Sequence, residues 1–163
     1  MKIYLGSDHT GYELKEKIKI WLEEWGYEYK DMGAFGFNSK DDYPDFIKPV
    51  AESVADDPEN SRGIVLGFNG QGEGITANRY KGVRACVYYG EPVDISTTGQ
   101  EREDKPKNMI ILSREDDDTN VLAVAAGFIS DYTAEEAIKL WLETPFTGEE
   151  RHKRRINKID GSR

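Results

Sequence analysis

Three groups of side chains have the types and spacing for chemistry. The first is Asp8-His9, between the apolar run Met1 to Leu5 and a helical pattern that follows Gly11. A turn there faces a helix N-terminus, where backbone N–H groups and the helix dipole favour an anion or a developing negative charge. The plain alternative is a capping turn, although Thr10 and Glu13 already have capping-box spacing. The second group is Gly67-Phe-Asn-Gly-Gln-Gly-Glu-Gly74, a glycine-rich loop between a strand-like and a helix-like segment. Such a loop lets backbone approach a ligand and aim several N–H groups at one oxygen. Glu73 is its one ionisable side chain, placed to take a proton from carbon while neighbouring N–H groups hold the enediolate oxygen. The alternative is a solvent-facing Glu in a first helical turn. A nucleotide site fits poorly: the spacing is G-x-G-x-G, and no Lys-Ser/Thr pair follows. The third group is Arg151-His-Lys-Arg-Arg155, whose outer arginines share a helix face and can grip a phosphate, or else form a solvated basic end.

The elements that must position these groups belong to one domain, because 163 residues suit a single core. Hydrophobic residues make up 37% of the chain, with nine Tyr, six Phe and three Trp, enough to fill that core and exclude disorder. No apolar run reaches the roughly 20 residues of a membrane span, and Met1 to Gly6 is too short for a signal peptide, so a cytoplasmic protein is expected. The net charge of −9 disfavours nucleic acid, whereas residues 151–163 set six basic side chains against Asp160 alone and suit a small anion. One cysteine and two histidines offer no zinc set, and no metal is expected.

Strands are expected at Met1 to Leu5, Tyr27 to Met32, Gly63 to Gly67, Val83 to Tyr89 and Val121 to Ala126. Helices are expected from Thr10 to a C′ glycine at Gly26, from Pro44 with Pro49 kinking or shortening it, through Asn78, over Ala134 to Glu143, and over 149–160. Gly90 to Asn108 reads as an exposed loop, and Met109 to Leu112 as an apolar run of unassigned type. The alternation predicts an α/β sandwich on a parallel sheet, with sites beyond the carboxyl ends of its strands.

Four motifs in order resemble the family of ribose 5-phosphate isomerase type B and galactose 6-phosphate isomerase subunits. Gly6-Ser-Asp-His-Thr-Gly11 is similar to its G-S-D-H-x-G and Asp42-Tyr-Pro-Asp45 to its D-Y-P-D. Gly72-Glu-Gly-Ile-Thr-Ala-Asn78 resembles its glycine loop ending in A-N, and Arg151-His-x-x-Arg155 its R-H-x-x-R. The resemblance implies a Rossmann-like three-layer sandwich with a mainly parallel five-stranded sheet. It also implies no cofactor, and a homodimer or dimer of dimers with sites at the interface, the last helix packing on the partner. The activity implied is aldose–ketose isomerisation of a sugar phosphate through a cis-enediolate.

One branch of that family uses a Cys base where this chain has Gly67, and the other a Glu where it has Glu73. The resemblance further implies that Asp8, His9 and Tyr43 line the sugar and that Asn69, Gly70, Gln71, Gly72, Gly74 and Asn78 hold it, the loop N–H groups serving the oxyanion. His9, Arg151 and Arg155 are implied for the phosphate. Two positions depart: Asp116 replaces a histidine that helps open the sugar ring, and Gly127 an arginine, both of which reach the site from the neighbouring subunit. His9 is expected to take over ring opening, or the enzyme to rely on substrate that is already open. A non-catalytic, sugar-phosphate-binding subunit of a hetero-oligomer is the alternative function.

Overall fold

The short aliphatic runs form one parallel sheet in a computed structural model that describes residues 1–90 and 108–161. Its strands are β1 (Lys2–Ser7), β2 (Glu28–Asp31), β3 (Ser61–Gly67), β4 (Ala85–Tyr88) and β5 (Val121–Ala125), in the order β2-β1-β3-β5-β4. The Gly63-Ile-Val-Leu-Gly67 run is central, paired with β1 on one side and β5 on the other. That position explains its unbroken apolar character, since a central parallel strand is covered on both faces.

Strand side chains alternate between two cores, as a period of two requires. Ile64 and Leu66 join Ile3, Leu5, Leu122 and Val124 under α1 (Tyr12–Glu24), α4 (Met109–Glu115) and α5 (Asp131–Glu143), with Trp141 fully buried among them. Val65, Val121 and Ala123 face the other way, against α2 (Pro44–Asp56) and α3 (Gln71–Ala77). The result is a Rossmann-like three-layer sandwich. The last helix, α6 (Glu150–Gly161), buries His152 and leaves Ile159 exposed. No helix among the described residues is long and apolar enough to cross a membrane.

Several local expectations change. The Met109 run is a helix, begun by Asn108, whose Oδ1 accepts from the N–H groups of Ile110 and Ile111 at 2.9 and 3.2 Å. Pro49 neither ends nor shortens α2, because buried Ile47, Val50, Ala51 and Val54 hold the helix across the lost backbone bond. The capping box at Thr10 does not form. The N-cap of α1 is Gly11, and the Thr10 hydroxyl donates to Asp8 instead. Gly26, at φ 77°, does take the C′ position of α1. The loop expected over Gly90 to Asn108 falls on residues 91–107, outside the described residues.

Candidate active site

The chain leaves β1 for β2 on one side of the sheet and reaches β3 on the other, so a crevice opens between the carboxyl ends of β1 and β3. Asp8 and the glycine loop both lie there. Asp8 is buried, and its Oδ1 accepts from the Thr10 N–H at 2.9 Å, the Thr10 hydroxyl at 2.5 Å and the Gly11 N–H at 3.3 Å. One oxygen of Asp8 therefore shapes the turn that presents His9. Beyond β1, Ser7 and residues 33–34 exchange backbone hydrogen bonds, which carries the following loop back over the strand end. That loop delivers Asp41. Its Oδ1 lies 2.5 Å from His9 Nδ1 and accepts the His9 backbone N–H at 3.1 Å.

The hydrogen bond to Asp41 raises the His9 pKa; partial burial opposes this, and the charges of Asp8 and Asp41 add to the rise. The ligand atoms of Asp8, His9 and Asp41 lie within 4.8 Å of one another. A direct 2.5 Å contact between imidazole and carboxylate is a hydrogen bond, and a cation would have to break it.

Glu73 does not face solvent. It is 4% exposed, and its carboxylate folds back against Gly67, where any Cβ would overlap it. Burial raises its pKa, its own backbone N–H opposes, and the charge of Asp8 adds to the rise. Gly72 meets a similar demand for space. A Cβ there would lie 2.6 Å from Tyr43 Cζ, so the bare backbone lets Tyr43 close on the loop. Gly70 opens α3 in the left-handed region at φ 70°.

Two of the loop N–H groups expected at an oxyanion are engaged within the loop itself. The Gln71 N–H is taken by Asn69 Oδ1 at 3.0 Å and the Gly74 N–H by the Gly70 carbonyl at 3.0 Å, because α3 begins at once. Gln71 Nε2 donates to the Tyr89 hydroxyl at 2.8 Å. Asn78, at the far end of α3, spends both groups of its amide on the Ala85 backbone, at 3.0 and 2.8 Å. It fastens α3 to β4 from the C-cap of that helix, five residues beyond Glu73.

The structure thus gathers Asp8, His9, Tyr43, Glu73 and the loop, and adds Asp41, which sequence reasoning missed. Its only local signal is a doubled acid before Tyr-Pro; the partnership with His9 spans 32 residues. Asp116, Arg151 and Arg155 do not join this group within one chain. Asp116 ends α4, which leads into β5, so it stands at the amino edge of the sheet. Its Oδ1 lies 3.5 Å from His152 Nε2, which draws α6 to that same edge. Arg151 and Arg155 project from α6 into solvent, Arg151 toward Glu149 at 2.7 Å. Arg114 is structural: its buried guanidinium bonds Asp118, Thr119 and Thr144 and stacks on Trp141. At Gly127 a Cβ would strike the Phe68 ring, which packs on Phe128 at 5.5 Å, so aromatic rings occupy the wall expected to carry an arginine.

A buried carboxylate at the switch point of a parallel sheet, beside a histidine–carboxylate pair, is the equipment of an enzyme that moves protons on a small ligand. Residues 3–159 match the family model described as Ribose/Galactose Isomerase, and the chain belongs to that family. It is accordingly an aldose–ketose isomerase, an intramolecular oxidoreductase. Among its relatives, the putative sugar phosphate isomerase YwlF of Bacillus subtilis is 38% identical over 98% of this chain and 95% of that protein. Ribose-5-phosphate isomerase B of Mycolicibacterium paratuberculosis is 34% identical over 96% of this chain and 88% of its own. The crystal structure of ribose-5-phosphate isomerase B from Mycoplasma genitalium with bound ribulose-5-phosphate superposes with a TM-score of 0.86. It is 31% identical and covers 99% of this chain and 95% of that one.

Proposed function

We propose that the protein interconverts ribose 5-phosphate and ribulose 5-phosphate, or a closely related aldose and ketose phosphate, with Glu73 as the carbon base. The observation that carries this reading is the Glu73 carboxylate, buried and folded onto Gly67 at the carboxyl end of β3. Its raised pKa suits a group that must take a proton from C2 and return it to C1 near neutral pH. The N–H groups of Gly70 and Gly72 stabilise the enediolate oxygen, the neighbouring Gln71 and Gly74 N–H groups being engaged elsewhere. Asp8 and Tyr43 hold the sugar. His9 opens the ring, standing in for the histidine missing at Asp116.

Arg151 and Arg155 bind the phosphate at the site of a second chain, a reading supported by the contact of His152 with Asp116, which keeps α6 at the amino edge. The working unit is then a homodimer or dimer of dimers, with α6 docked on the partner. A sugar-phosphate-binding subunit that pairs with an active relative is the second reading, and it draws on the lost groups at Asp116 and Gly127. A coupled assay on pentose and hexose phosphates separates the two: turnover abolished by Glu73→Gln supports the isomerase, and binding without turnover in the wild type refutes it. Solvent deuterium at C1 or C2 of the product marks the enediolate.

A further inference from the structure

We propose that Asp41 is a positioning residue that clamps His9 through Nδ1, so that Nε2 is the ring nitrogen offered to the substrate. The proposal rests on the reading that His9 carries the ring-opening proton. Two hydrogen bonds converge on one Asp41 oxygen, from the His9 backbone N–H at 3.1 Å and from the His9 ring at 2.5 Å. Together they fix the residue's backbone and its side-chain torsions. Phe37 meets the imidazole edge-on at 6.0 Å and limits its swing. The clamp itself is rigid: the Asp41 side chain is 7% exposed, and its N–H donates to the Asn38 carbonyl at 3.0 Å. Asp41 Oδ2 is buried without a hydrogen-bond partner. The hydrogen bonds of this carboxylate thus go to His9, while the His9 side chain stays 25% exposed and open to a ligand.

An imidazole that gives its Nδ1 proton to a carboxylate has a defined tautomer, and its proton traffic runs through Nε2. Opening a furanose breaks the C1–O4 bond. The electron pair leaves with O4, which takes the Nε2 proton, while the O1–H proton passes to solvent water as C1=O1 forms. Water then returns a proton to Nε2. The charged groups facing His9 are Asp8, from its own turn, and Asp41, from the loop over β1, and both favour the imidazolium that begins this step.

In proton NMR the imidazole signal that His9→Asn removes is that of His9. In Asp41→Asn, which keeps the acceptor and removes the charge, the His9 midpoint should move to lower pH. Turnover on ribose 5-phosphate should fall about tenfold or more. The double variant Asp41→Asn/His9→Asn should be no slower than His9→Asn alone, because Asp41 acts through His9. An unmoved midpoint, or losses that multiply in the double variant, overturns the clamp. If His9→Asn turns over at the wild-type rate, the ring-opening role falls, whatever the NMR shows. If His9→Asn is inactive while Asp41→Asn is unimpaired, the role stands and the clamp alone is refuted.

Discussion

Replacing Gly67 by Ala tests the placement of the base without touching the base. The methyl group would overlap the Glu73 carboxylate, with even the farther oxygen, Oε2, at 2.8 Å from it. Glu73 must then move by about an ångström, since carbon–oxygen contacts settle above 3 Å. A displacement of about 1 Å in a reacting group costs about 100-fold in rate. Turnover should therefore fall by about that factor in a coupled assay, with KM little changed, because the substitution leaves the proposed contacts at Asp8, Tyr43, Arg151 and Arg155 in place. Overpacking costs about 1–3 kcal/mol, so the melting midpoint should drop by several degrees. Adding Glu73→Ala removes the overlap, and the double variant should regain most of that midpoint while staying inactive. Wild-type turnover in Gly67→Ala would show that the carboxylate does not work from this position.

Glu73→Gln should lower turnover by about 100-fold or more with affinity retained, as calorimetry and kinetics together would show. The wild-type rate should fall as acid protonates the base, at a pH above the ordinary carboxylate range because burial raises its pKa. A carboxyl whose folded pKa is raised loses stability as pH climbs from the unfolded value to the folded one. Glu73→Gln should therefore melt higher than the wild type near neutral pH, and the gain should vanish in acid below the unfolded pKa. Arg151→Ala and Arg155→Ala should each weaken sugar-phosphate binding by about 1.5–3 kcal/mol, and unchanged calorimetric affinity would return α6 to a solvated basic end. Asp116→Asn should change turnover modestly, since the carboxylate faces His152; a loss matching Glu73→Gln would make Asp116 the ring-opening group and displace His9.

Much of the architecture was legible because it rests on local patterns. The buried run at β3, the stripe Leu14, Ile18 and Leu22 on α1 and the glycine after it each report a neighbourhood of a few residues. Elements shorter than a full pattern were not. Met109 to Leu112 is too brief to tell a buried strand from a helix, and the deciding residue was the cap at Asn108. At Thr10 the Asp8 carboxylate takes the N–H that Glu13 would accept in a capping box, and it holds the Thr10 hydroxyl as well.

The site divides in the same way. Glu73 is readable because the loop around it is, but its inward turn depends on the space left by Gly67, and the partnership of His9 with Asp41 depends on how a loop crosses the end of β1. Sequence order carries no sense of edge, whereas a parallel sheet imposes one. Every strand ends at the face where Asp8 and Glu73 lie, so every helix that returns to start the next strand must end at the opposite face. Asp116 closes such a helix, and His152 holds α6 beside it. The distance from Asp116 and the arginines to Glu73 is thus set by topology and not by a choice of rotamer. A chain of this fold can bring those residues to a Glu73 carboxylate only by lending them to another copy of itself.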